Sequence, residues 1–86
     1  MIIEVTGKFD YFHVLQYKEQ IQDSINKGDY AITMDLAQCN FVDSSGIGFL
    51  LTHKELLRKY GGRLEVINKP DSLTRIMKKA GLYDLL

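Results

Sequence analysis

The sequence predicts a single α/β domain, a mixed but mostly parallel sheet with helices packed on it. Strand-like and helix-like periodicities alternate three times along the chain. The strand-helix order implies parallel neighbours joined by right-handed crossovers, with helices covering at least one sheet face. The 86 residues, 45% hydrophobic and 26% charged, hold apolar material for one core and not for two. No internal repeat, low-complexity segment or linker is visible, so the domain spans residues 1–86.

The first strand is "IIEVTG" (2–7), rich in β-branched residues. A helix follows near 12–27, with Val14, Tyr17, Ile21 and Ile25 on one face and Gly28 as its stop. "YAITMDL" (30–36) is the second strand, and "AQCNFVDSSG" leaves its carboxyl end. The second helix runs from about Ser45 to Tyr60, with Ile47, Leu50, Leu51 and Leu57 as its apolar stripe. Glu55 and Lys59 sit four apart on its wet side, and Gly61-Gly62 end it. "RLEVIN" (63–68) is the third strand. The third helix begins at Pro70-Asp71-Ser72, turns Leu73, Ile76, Met77 and Ala80 inward, and stops at Gly81. The tail "LYDLL" is apolar enough to pack back on the body.

The bulk features exclude several functions. Cys39 stands alone, so no intrachain disulfide supports the fold, and it reads as a packed small residue rather than a reactive thiol. Glu4 interrupts the opening "MIIEVTG", which is not a signal peptide, and no apolar run approaches the roughly 20 residues of a membrane span. A cytoplasmic protein is expected. Zero formal net charge argues against nucleic acid as a partner. The charges are unevenly spread, with seven acids and three bases in residues 1–43 and four acids and eight bases in 44–86. Solvated helix faces account for this; the sharper reading is an acidic rim near Asp10 and Asp43 that a basic partner recognises.

The stretch "FVDSSGIGFLL" (41–51) holds the candidate site. Sites on open parallel sheets form beyond the strands' carboxyl ends, which would bring Asp10, Asp43, Ser44 and Ser45 to one edge. Asp and Ser are preferred helix N-caps, but one cap needs one such residue and this sequence supplies three in a row. Gly46 and Gly48 in the first turn cost helix propensity, which suggests a bare surface for close approach. A catalytic serine needs a base within reach. His53 lies two turns down the helix, His13 opens the first helix near Asp10, and both read as surface or interface residues. No G-x-S-x-G is present, so no catalytic residue is assigned and the chain reads as a non-enzyme. "SSGIG" lacks a P-loop lysine, and Asp43 would repel phosphate, so dedicated nucleotide binding is a disfavoured alternative; no cofactor is assigned, and no metal set is present. There remains a serine that itself receives a phosphate: the modification adds about −1.5 to −2 charge at an exposed helix start without unfolding the core. Ser44 and Ser45 are chemically alike for that purpose.

"VDSSGIGFLL", preceded by a strand ending "MDLAQCNF", closely resembles the signature of anti-sigma factor antagonists of the STAS domain family. "VTGKFD" is similar to that family's early segment, "GGRLEVIN" to its next strand, and "LTRIMKKAGLYDLL" to its closing helix and Gly-Leu turn. The resemblance covers nearly the whole chain in order. It implies a phosphorylation-gated binding protein, with an anti-sigma factor that is also a serine kinase as partner and a serine phosphatase to reset it. Carried over, it makes Ser44 the phosphoacceptor, flanked by Asp43, with Ser45 and Gly46 completing the motif and Asp10 on the same partner-binding surface; the residues themselves add Gly46, Ile47, Gly48 and Phe49 as positions expected to meet the partner. Against typical members, the chain reads as a minimal version without the usual first strand and C-terminal extension. Uncovered sheet edges would then invite a homodimer or an obligate partner. The competing expectation is a constitutive scaffold subunit of a larger complex, such as a transporter assembly.

Overall fold

A computed structural model describes residues 1–79 and Gly81. The element order is β1 (Ile2–Phe9), α1 (Val14–Asn26), β2 (Ala31–Val42), α2 (Ser44–Lys59), β3 (Arg63–Ile67) and α3 (Asp71–Lys79). The strands form one sheet in the order β1-β2-β3, and both pairings are parallel. Among the described residues the sheet is therefore wholly parallel rather than mixed.

Burial alternates along each strand because the side-chain period is two. Ile3, Val5 and Phe9 of β1, Ile32, Met34 and Leu36 of β2, and Leu64 and Val66 of β3 point into the core. Ile2, Glu4, Thr6 and Lys8, with Arg63, Glu65 and Ile67, face outward. Tyr17, Ile21 and Ile25 of α1, Leu50 and Leu57 of α2, and Leu73 and Met77 of α3 close the covered face. Two right-handed crossovers stepping the same way across a sheet place their helices on one side, which leaves the other side uncovered among the described residues.

Three local expectations need correction. β2 does not end at Leu36 but runs on to Val42, through residues of low strand propensity. It can do so because the β1–β2 register slips twice, between Glu4 and Thr6 and between Gly7 and Lys8, with β2 advancing one residue further each time. At the first slip the Asp35 carboxylate accepts the Ala37 N–H at 2.9 Å and the Asn68 side-chain amide at 3.0 Å, which satisfies a group that a bulge would otherwise leave bare. Ile76 does not point inward; it is 43% exposed, because Leu73 and Met77 alone fill the core face of the short α3. Ala80 and the tail from residue 82 lie outside the described residues.

His53 is the third correction, buried rather than on the surface. Its ring stacks on Phe49 at a centroid distance of 4.0 Å, and its Nδ1–H donates to the Phe49 carbonyl at 2.9 Å. Burial pulls its pKa below the ordinary 6.5, and the Lys18 charge adds to this, against the Phe49 hydrogen bond. The unfolded chain therefore takes up a proton at a pH where the fold still keeps His53 neutral. Its stabilising contribution is complete above about pH 6.5 and is lost as pH falls through the lower folded value. The lowered carboxylates Asp10, Asp29 and Asp35 act further down, below their ordinary 3.8. Urea midpoints measured from pH 7.5 to pH 5.5 (a window set around the ordinary histidine value) should fall for the wild type and fall less for His53→Gln.

Candidate functional site

The carboxyl ends of β1 and β2 are adjacent, since Lys8 pairs with Phe41 and Phe9 with Val42. Asp10 and Asp43 follow immediately on the two strands, so the expected shared edge exists. The register slips make this possible, because they bring the longer β2 to the same level as β1.

Asp43 is the N-cap of α2, in extended conformation. Its Oδ1 accepts the N–H groups of Ser45 at 2.8 Å and Gly46 at 3.1 Å, two of the donors a helix start leaves unpaired. Its Oδ2 accepts the Tyr11 N–H at 3.3 Å, which ties the turn after β1 to the same carboxylate. Asp10 does the matching work for α1. Its backbone carbonyl accepts the N–H groups of His13 and Val14, and its Oδ1 accepts the Phe12 N–H at 3.1 Å and pairs with His13 Nδ1. Asp10 is only 8% exposed, and the His13 hydrogen bond chiefly holds its carboxyl below the usual range, against the opposing effect of burial. The expected acidic rim is therefore not a pair of free carboxylates. Each is turned inward on backbone donors.

The rest of the motif divides by exposure. Ser44, the first residue of α2, is exposed, whereas Ser45 is half-buried. Gly46 is buried. A Cβ there would meet the Phe9 carbonyl oxygen closer than real side chains approach, the Phe9 ring at 2.9 Å and Val42 at 3.0 Å. Its bareness serves the seating of α2 on β1. Gly48 has nothing within 4 Å of where its Cβ would be, and it lies one turn beyond Ser44. Ile47 is half-buried against the core. His13 and His53 are engaged by Asp10 and by the Phe49 carbonyl, and among the described residues neither hydrogen-bonds a serine hydroxyl.

An aromatic platform beside the motif escaped the sequence reading. Tyr11, Phe12 and Leu15 are 71%, 84% and 62% exposed, and with Val14, Lys18 and Phe49 they line an open groove. A signal was present: "DYFHVLQY" holds more large apolar residues than the Val14-Tyr17-Ile21 face can bury. The helix also begins at Val14, two residues later than expected, leaving Tyr11 and Phe12 on a turn.

Among the described residues, no helix is long and apolar enough to cross a membrane. The family model described as "Mlab, STAS domain" matches residues 1–86. An anti-sigma F factor antagonist of Paenibacillus polymyxa is 24% identical over 87 residues, covering all of this chain and 74% of its own length. The solved anti-sigma factor antagonist SpoIIAA is 26% identical, with a TM-score of 0.75 in its unphosphorylated form, over 90% of this chain and 71% of that one. Its phosphorylated form, from Bacillus, gives 0.76 over 96% and 76%. A sulfate transporter family protein of Wolinella succinogenes shares the fold at a TM-score of 0.77 and 22% identity, covering 96% of this chain and 67% of its own.

The two glycines should separate in urea denaturation. Gly46→Ala forces α2 off β1 and is expected to cost about 1–3 kcal/mol, the range for overpacking. Gly48→Ala meets open space and gains helix propensity, so it should stabilise by about 1 kcal/mol.

Proposed function

The chain belongs to the STAS domain family, and we propose that it is a phosphorylation-switched binding protein of the anti-sigma factor antagonist kind. In this reading it binds a partner that is both serine kinase and anti-sigma factor while Ser44 is unmodified, and releases it once Ser44 carries phosphate. The observation that carries the reading is the division of labour at the start of α2. The Asp43 carboxylate caps the helix through the Ser45 and Gly46 N–H groups without using the Ser44 hydroxyl, which stands exposed.

The kinase transfers the γ-phosphoryl group of a nucleoside triphosphate to Ser44 Oγ. The Oγ–P bond forms, the bond to the departing diphosphate breaks, and the hydroxyl proton passes to a base of the kinase. A phosphatase returns the hydroxyl by hydrolysis, releasing inorganic phosphate. This chain supplies no catalytic group to either step. The phosphate brings about −1.5 to −2 charge to the contact surface, and a loss of only about 1.4 kcal/mol of binding energy lowers affinity tenfold. Gly48 leaves room beside the hydroxyl for the partner, and the Tyr11–Phe12 platform offers it aromatic anchors of the kind that dominate interfaces.

A constitutive scaffold subunit is the second reading, favoured by the open outer face of the sheet, which a larger assembly would cover. The two readings part on the intact mass of the protein from its native host. A phosphate mapped to Ser44 and absent from Ser44→Ala supports the switch; an unmodified Ser44 across growth conditions supports the scaffold. Against the partner kinase, Ser44→Ala should bind at least tenfold tighter than Ser44→Glu, read by titration calorimetry, and equal affinities would remove the gate. Phe12→Ser should weaken the same binding while shifting stability by no more than about 0.5 kcal/mol, as expected for an exposed side chain.

A further inference from the structure

A phosphate at a helix start ordinarily finds its counter-charge in the helix itself, through unpaired N–H groups and the positive end of the dipole. At α2 that arrangement is pre-empted. The Ser45 and Gly46 N–H groups both donate to Asp43 Oδ1, at 2.8 and 3.1 Å, and the Ile47 N–H donates to the Asp43 carbonyl at 3.2 Å. The other carboxylate oxygen is held by the Tyr11 N–H. A phosphate on Ser44, the next residue along, would thus meet the Asp43 carboxylate and find the Ser45 and Gly46 donors already in use.

We infer that Asp43 is a positioning residue of the switch: by occupying the Ser45 and Gly46 donors and adding its own charge, it keeps a phosphate on Ser44 turned outward to the partner. A helix start with free donors would fold the phosphate back on itself and neutralise part of the signal. This rests on Ser44 being the phosphoacceptor, but its test needs neither kinase nor partner. Absence of phosphate in the native protein would end the switch reading without touching the outcome below.

Phosphoserine is placed at position 44 during ribosomal synthesis, and the phosphate's second ionisation is followed by phosphorus NMR. The reference is a phosphoserine peptide of residues 41–51. In the wild type the second pKa is expected at or above that of the peptide, with the Ser45 and Gly46 amide shifts unmoved as the phosphate titrates. Asp43→Asn keeps an acceptor oxygen and removes the charge, so it should lower the value modestly. Asp43→Gly, a tolerated N-cap, frees both amides and should lower it by about one further unit, a tenfold change in acid dissociation. A wild-type value below the peptide's, with those amides titrating alongside it, would overturn the inference even if Asp43→Gly failed to fold. So would a folded Asp43→Gly whose value is no lower than that of Asp43→Asn.

Discussion

The first turn of α2 rests on the carboxyl end of β1 so closely that position 46 has no room for a side chain: the Phe9 carbonyl, the Phe9 ring and Val42 fill the place. Much of the molecule is arranged around that contact. Phe9, fully buried, meets Tyr17 of α1 and Phe49 of α2 edge-on, each at 5.4 Å between ring centroids. One side chain at the strand end thereby fixes both helices, and such edge-to-face pairs add about 0.5–1.5 kcal/mol each beyond burial. Tyr17 in turn accepts the Thr6 N–H through its hydroxyl at 3.3 Å, which anchors α1 to β1 a second time.

The same contact determines what remains at the surface. Seating α2 this low brings Asp43 within reach of the Tyr11 N–H, so the turn after β1 and the start of α2 share one carboxylate. Asp10 holds the other side of that turn through the Phe12 N–H. With both carboxylates turned onto backbone donors, the edge exposes the Ser44 hydroxyl, the bare helix position at Gly48, the Asp10-paired His13 ring and three large apolar side chains.

Much of this was legible in the sequence, and the failures have physical causes. The three strands, the three helices and the meeting of Asp10 with Asp43 follow from periodicity and topology, because one-sided burial writes period two and period 3.6 directly into the chain. The last six residues of β2 escape the periodicity because Ala37, Gln38 and Asn40 have low strand propensity. They are carried by register slips and by the Asp35 carboxylate, neither of which periodicity records. His53 was misplaced because its partner is a backbone carbonyl, invisible to side-chain pattern. Gly46 was legible as a close-approach position but not as an inward one, since its neighbour Phe9 is distant in sequence and only the tertiary fold joins them.

The run of three polar residues at 43–45 becomes intelligible once capping and display are separated. A serine used as the cap would commit its oxygen to the helix N–H groups, and modifying that hydroxyl would break the cap, at a cost of about 1 kcal/mol to the fold. Placing an aspartate at the cap and the hydroxyl one residue later uncouples the two roles. The carboxylate holds the helix without drawing on the Ser44 hydroxyl, which stands exposed. Gly46, which looked like part of the same display, answers to a different constraint, the seating of α2 on Phe9. Four adjacent residues thus read as one motif in sequence but divide in space: Asp43 and Gly46 build the platform, Ser45 is half taken up by it, and Ser44 is what the platform presents.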